Sequence, residues 1–147
     1  MNRYLEQIEQ INTAYSKTSA AYGRWAKTQG LNYNSLLMLC ILEEKGTCTQ
    51  KMICEELLLP KSTVHSILLD FMKKGYMALE AAPDNKKEKV VVLTDAGKAF
   101  SDEILTKLHK MEVRAMERLG PRLSAQLVHT TVLYYEYFQE ETDLNHE

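Results

Sequence analysis

The sequence predicts a mainly α-helical fold carrying one small β-hairpin, and three observations lead there. Stretches at both ends repeat apolar residues at steps of three, four and seven, the period of a helix with one buried stripe. Between them lie two shorter helical patterns separated by a tight turn that closes on Pro60. Directly after these, two short runs of strand-compatible residues flank a polar, turn-rich loop with lysines. From Thr49 to Thr94 the order is therefore helix, turn, helix, hairpin.

The first helix covers residues 2 to about 28, with Tyr4, Ile8, Ile11, Tyr15, Tyr22 and Trp25 on one stripe, and Gly30 ends it. Asn32 is the N-cap of a second helix, Tyr33 to Glu44, with Ser35, Met38, Leu39 and Leu42 inward and a stop at Gly46. Thr49 caps a third helix reaching Leu57, whose Met52, Ile53 and Leu57 face the core. Pro60 supplies the fixed φ that starts a fourth helix, which runs to Lys74 and closes at Gly75. Its buried side is Val64, Ile67, Leu68, Phe71 and Met72. At about 100° per residue, Ser62, Ser66, Leu69 and Lys73 lie opposite, with Thr63 and His65 on the flanks.

Met77 to Ala82 and Lys89 to Leu93 form the hairpin around Pro83-Asp84-Asn85-Lys86-Lys87-Glu88. Thr94 caps a fifth helix with Phe100, Ile104, Leu108, Met111, Ala115 and Leu119 at helical spacing until Gly120-Pro121. A sixth follows, striped by Leu123, Leu127, Thr131, Tyr134 and Phe138, with Val128, Val132 and Tyr135 alongside. The small central unit cannot cover the stripes at both ends, and a two-fold dimer would. We therefore divide a single domain, 1–147, into dimerisation helices 1–30 and 98–147 and a central lobe 32–97.

Composition narrows the function classes. Among 147 residues, 45% hydrophobic and 26% charged residues are globular averages, which points away from disorder. No run approaches the roughly 18 apolar residues of a membrane span, and MNRYLEQIEQ lacks the order of a secretion signal, so a cytoplasmic protein is expected. The net charge of −2 weighs against a polyanionic partner, but its distribution matters more than its sum. Glu6 and Glu9, then Glu136, Glu140, Glu141, Asp143 and Glu147, gather at the ends. Lys61, Lys73, Lys74, Lys86, Lys87 and Lys89 fall in the central unit, diluted by Asp70, Glu80, Asp84 and Glu88.

Three cysteines without C-x-x-C spacing argue against a disulfide framework and a zinc knuckle. Cys40 reads as core, while Cys48, at the edge of the third helix, is the best placed of the three for oxidant sensing. His65, His109, His129 and His146 show no i, i+4 pairing, so no metal is expected. No Ser-His-Asp order, phosphate-binding glycine loop or carboxylate pair sits in a suitable context, so neither an enzyme nor a cofactor is expected.

Ile53-Cys54 in the third helix, Lys61-Ser62-Thr63-Val64 opening the fourth, Lys73-Lys74-Gly75-Tyr76 closing it, and Leu93-Thr94-Asp95-Ala96-Gly97 after the hairpin come in a fairly specific order and spacing. Together they resemble the MarR family of bacterial winged-helix transcription regulators over essentially the whole chain. The resemblance implies a homodimer joined through the first and last helices, a fourth helix in the major groove and a wing along the minor groove of a pseudo-palindromic operator. It also implies control by small aromatic effectors or by cysteine oxidation. The DNA-binding candidates are Lys61, Ser62, Thr63, His65, Ser66, Lys73, Asn85, Lys86, Lys87 and Lys89. Tyr15, Tyr22, Trp25 and Tyr33 are the candidates for an aromatic ligand, although aromatic residues at this spacing also fill helix interfaces.

Several positions depart from the family pattern. Asn85-Lys86-Lys87 replaces Asp-Arg-Arg in the wing, exchanging planar guanidinium groups for point charges. Leu58 and Ser66 stand where the family often has glycine and arginine. Ser66, Leu69, Asp70 and the negative net charge keep a second reading open, a winged-helix dimer that binds a protein partner without reading DNA.

Overall fold

The computed structural model describes residues 2–145; His146 and Glu147, named above for a histidine and an acidic terminus, lie outside the described residues, as does Met1. The elements run α1 (Arg3–Thr28), α2 (Tyr33–Lys45), α3 (Gln50–Leu57), α4 (Lys61–Lys73), β1 (Met77–Ala81), β2 (Lys89–Leu93) and α5 (Asp95–Leu144). The expected mainly helical fold with one hairpin is what forms. The chain divides into two compact units, one up to Leu105 and one from Thr106 onward.

Local chemistry places most boundaries. Asn32 accepts from the Ser35 amide at 2.8 Å and Thr49 from the Met52 amide at 3.1 Å, each satisfying an amide that the first helical turn leaves without a partner. The core of the first unit is built on α2, which buries Ser35, Leu36, Met38, Leu39, Ile41 and Leu42, more of its circumference than the single stripe expected. Ile53 of α3, Val64, Ile67, Leu68 and Phe71 of α4, Met77, Val91, Ile104 and Leu105 close around it. At Gly23 of α1, a Cβ would lie 3.7 Å from the Tyr33 Cβ, so the two helices meet closely there.

The hairpin is antiparallel, with Met77 opposite Leu93, Leu79 opposite Val91 and Ala81 opposite Lys89. Cys48 joins it through a short bridge, accepting from the Val91 amide at 2.7 Å. Thr94 then locks the hairpin to α5. Its hydroxyl donates to the Gly75 carbonyl at 2.6 Å and accepts from the Gly97 amide at 3.0 Å, while its own amide donates to the Tyr76 carbonyl at 3.0 Å. Tyr76 stacks on Phe100, ring centroids 4.3 Å apart.

The break expected between the fifth and sixth helices is present inside α5 at a single residue. Gly120 has φ 80° and ψ 165°, a conformation essentially reserved for glycine, and Pro121 resumes the helix because a first-turn position needs no amide donor. Met52 and Met72, expected in the core, are exposed and so correct that expectation; Met111 and Leu119 are exposed as well. Tyr4, Ile11 and Tyr15 of α1 are also exposed, with Ile8 half-buried. Along the second unit, Leu123, Leu127, Val128, Val132, Tyr134, Tyr135 and Phe138 all remain in solvent.

Candidate nucleic-acid interface

Burial of Val64, Ile67, Leu68 and Phe71 turns the opposite side of α4 outward. Ser62, Ser66, Leu69 and Lys73 are exposed on that side and span an arc of roughly 60° over about 16 Å of helix. Nothing within the first unit covers this ridge. Lys61 and His65 are exposed beside it and Thr63 is half-buried. Pro60 precedes the helix without a side-chain cap, and its carbonyl accepts from the Thr63 and Val64 amides at 3.1 and 3.2 Å.

His65 is more than a solvated histidine. Its Nδ1 lies 3.4 Å from Oε1 of Gln50, the first residue of α3, so the two helices of the turn motif share a polar contact at the edge of the ridge. Gln50, Lys51, Cys54, Glu55 and Lys61 line a hollow next to it. The sequence reading passed over Gln50 and Lys51, although their place just after the Thr49 cap is where a side chain can stand beside the N-terminus of α4. Asp70 borders the ridge as well, but Lys74 holds its carboxylate at 2.9 Å, which offsets its charge locally.

The turn between α3 and α4 carries the one non-glycine residue with positive φ among the described residues, Leu58, at φ 52° and ψ 43° and 87% exposed. An exposed leucine gains nothing from burial there, and its left-handed backbone carries the steric cost that glycine would avoid.

In the wing, Lys86, Lys87 and Lys89 are exposed. The loop is shaped by Asn85, whose side chain accepts from the Lys87 amide at 3.1 Å, while its carbonyl accepts from the Glu88 amide at 3.0 Å. The turn therefore depends on Asn85 itself, and the lysines project from a tied loop. α4 and the wing together bring all ten DNA-binding candidates into the first unit, and nine of them are exposed, with Thr63 half-buried.

The aromatic candidates divide. Tyr22 and Tyr33 face each other with centroids 6.3 Å apart, and both are half-buried, as is Trp25. Tyr15 lies two turns away on an exposed part of α1, so the structure does not bring all four together. The cysteines reverse the expected order. Cys40 is half-buried, whereas Cys48 is 0% exposed. Burial pushes the Cys48 thiol up, only partly countered by Lys45, and Glu56 and Glu44 push the same way as burial. That removes the thiolate an oxidant sensor needs and corrects the choice of Cys48. Among the described residues no three metal-ligating side chains converge, and no helix is long and apolar enough to cross a membrane.

An uncovered helix-turn-helix ridge beside a lysine-bearing wing defines a winged-helix protein. Its particular form is the MarR-type fold. A MarR family regulator from Neisseria meningitidis superposes with a TM-score of 0.77 at 23% identity, covering 95% of this chain and 98% of that one. BpsR of Bordetella bronchiseptica, described for regulation of its DNA binding by 6-hydroxynicotinic acid, gives 0.69 at 17% identity over 86% and 91%. A MarR transcriptional regulator from Methanosarcina mazei gives 0.71 at 14% over 90% and 95%. No family model matches the chain, and no curated protein matches it by sequence.

Proposed function

We propose that this protein is a cytoplasmic, homodimeric transcription regulator that binds a pseudo-palindromic double-stranded DNA operator and represses by occupying it. The observation that carries the reading is the open ridge of α4, polar and flanked by Lys61 and Lys73, with the Lys86-Lys87 wing on the same unit. Ser62, Thr63, His65 and Ser66 reach base edges or phosphates in the major groove, and Lys86, Lys87 and Lys89 hold the adjoining backbone. The exposed apolar stripe of the second unit supports the dimer, since Leu123, Leu127, Tyr134 and Phe138 share one helical side and stand in solvent. Two-fold symmetry then sets two half-sites about one helical turn apart.

An aromatic effector is part of the proposal. Regulation of BpsR by a small aromatic acid motivates it, and the half-buried group of Tyr22, Trp25 and Tyr33 offers ring faces to such a ligand. An effector that prefers a dimer with misplaced α4 helices weakens operator binding by the ratio of its two affinities.

Selection of bound fragments from random duplexes by the purified protein tests the reading. The expected product is a symmetric motif; recovery of no enriched sequence, or of an asymmetric one, refutes it. On the selected duplex, the variant carrying Lys86→Ala and Lys87→Ala loses affinity for all sequences alike, whereas Ser62→Ala changes the preferred site.

A further inference from the structure

We infer that Leu69 is a specificity-determining residue that reads the C5-methyl group of a thymine in each half-site; this rests on the DNA-binding reading above. The inference comes from what α4 offers and what it lacks. Its sequence, KSTVHSILLDFMK, contains no arginine, asparagine or glutamine. The planar two-point partners that single out guanine or adenine are therefore missing from the helix. Ser62, Thr63 and Ser66 present hydroxyls, which donate or accept and so discriminate weakly between bases. Asp70 would accept from a cytosine amino group, but it is engaged by Lys74 at 2.9 Å.

Lys61, His65 and Lys73 add polar contacts, and Leu69 adds an apolar one. It is 43% exposed, in line with Ser62, Ser66 and Lys73 on a ridge that is otherwise polar, while its neighbours Ile67, Leu68 and Phe71 satisfy the core without it. It lies about 10 Å along the axis from Ser62, which is about three base-pair steps. The floor of a major groove presents one apolar group, the thymine methyl. An isobutyl side chain aimed there discriminates by removing that methyl from water, and against any other base it leaves polar edges without a partner.

Replacing thymine with uracil removes only the methyl. With the selected operator duplex as probe, gel shift of the full chain against a thymine-to-uracil scan should reveal one position per half-site where affinity falls about fourfold for each methyl lost. Leu69→Ala should bind the unmodified duplex as weakly as the parent binds the uracil duplex, with no further loss on uracil. Leu69→Met, which keeps an apolar contact, should recover sensitivity. Uniform tolerance of uracil by the parent, or an equal uracil penalty in the parent and Leu69→Ala, overturns the inference while DNA binding itself stands. Failure of the parent to bind any duplex overturns the DNA reading and this inference with it.

Discussion

Gly97→Ala and Gly23→Ala are the same chemical change in two helices, and the structure predicts opposite outcomes. A Cβ at Gly97 would stand 1.8 Å from the Tyr76 carbonyl oxygen and 2.7 Å from its carbon, both backbone atoms that no rotamer change can move aside. The strand start and the first turn of α5 must separate by more than about 1 Å to reach ordinary contact distance. That separation acts on a junction tied by the Thr94 amide to the same Tyr76 oxygen at 3.0 Å, the Thr94 hydroxyl to Gly75 at 2.6 Å, and the Tyr76–Phe100 stack. Weakening one or two hydrogen bonds at about 1 kcal/mol each, and a stack worth about 0.5–1.5 kcal/mol, gives roughly 1.5–3.5 kcal/mol. Removing glycine from a helix returns about 0.5–1 kcal/mol, so the net loss is roughly 0.5–3 kcal/mol. At Gly23 the added Cβ meets only the Tyr33 Cβ, at 3.7 Å, so the gain of about 0.5–1 kcal/mol stands alone. Urea denaturation followed by circular dichroism, at one protein concentration, should show the midpoint falling by about 1 M for Gly97→Ala and rising for Gly23→Ala. Midpoints moving in the same direction would show that helix propensity, and not the approach to Tyr76, governs position 97.

Leu58→Gly should stabilise the fold by up to about 1 kcal/mol, because relief of the left-handed backbone slightly exceeds the entropy cost of glycine and a side chain 87% exposed has little packing to lose; a lower denaturation midpoint would mean that Leu58 packs. The raised Cys48 thiol favours folding while it is protonated, so its contribution is complete below its ordinary value near 9.0 and declines as pH rises beyond that. Cys48→Ala should therefore lose less stability than the parent between pH 8 and pH 10, and equal slopes would refute the linkage. Under native conditions a thiol reagent should modify Cys48 last of the three cysteines, and early labelling there would contradict its burial. Losing both wing lysines in Lys86→Ala, Lys87→Ala should flatten the log-log salt dependence of DNA binding by about 0.9 for each phosphate contact removed, and an unchanged slope would place those lysines away from DNA.

Local chemistry made much of the fold legible in advance. Asn32, Thr49 and Thr94 carry their caps on their own side chains, Pro60 carries its own φ, and the 3.6-residue period separates Val64, Ile67, Leu68 and Phe71 from the outward ridge without reference to any other part of the chain. The outward side of α4 and the polar turn of the wing follow from the same two ingredients, helical phase and turn chemistry, whereas their choice as DNA contacts came with the family resemblance. Other features depended on partners distant in sequence. The burial of Cys48 results from its bridge to Val91, 43 residues on, and no local pattern encodes that pairing. Gln50 reaches His65 only once α3 and α4 have packed. The requirement for glycine at position 97 arises because the Tyr76 backbone passes within contact distance, whereas that at position 120 is visible from the Gly-Pro pair itself. Periodicity states which side of a helix is apolar, but not whether anything covers it, so Met52 and Met72, on expected core faces, stand in solvent. The sequence by itself determined where elements begin, end and turn their faces, since those are short-range backbone and capping energies; only the tertiary structure decided which faces are covered, because burial is a property of two surfaces meeting.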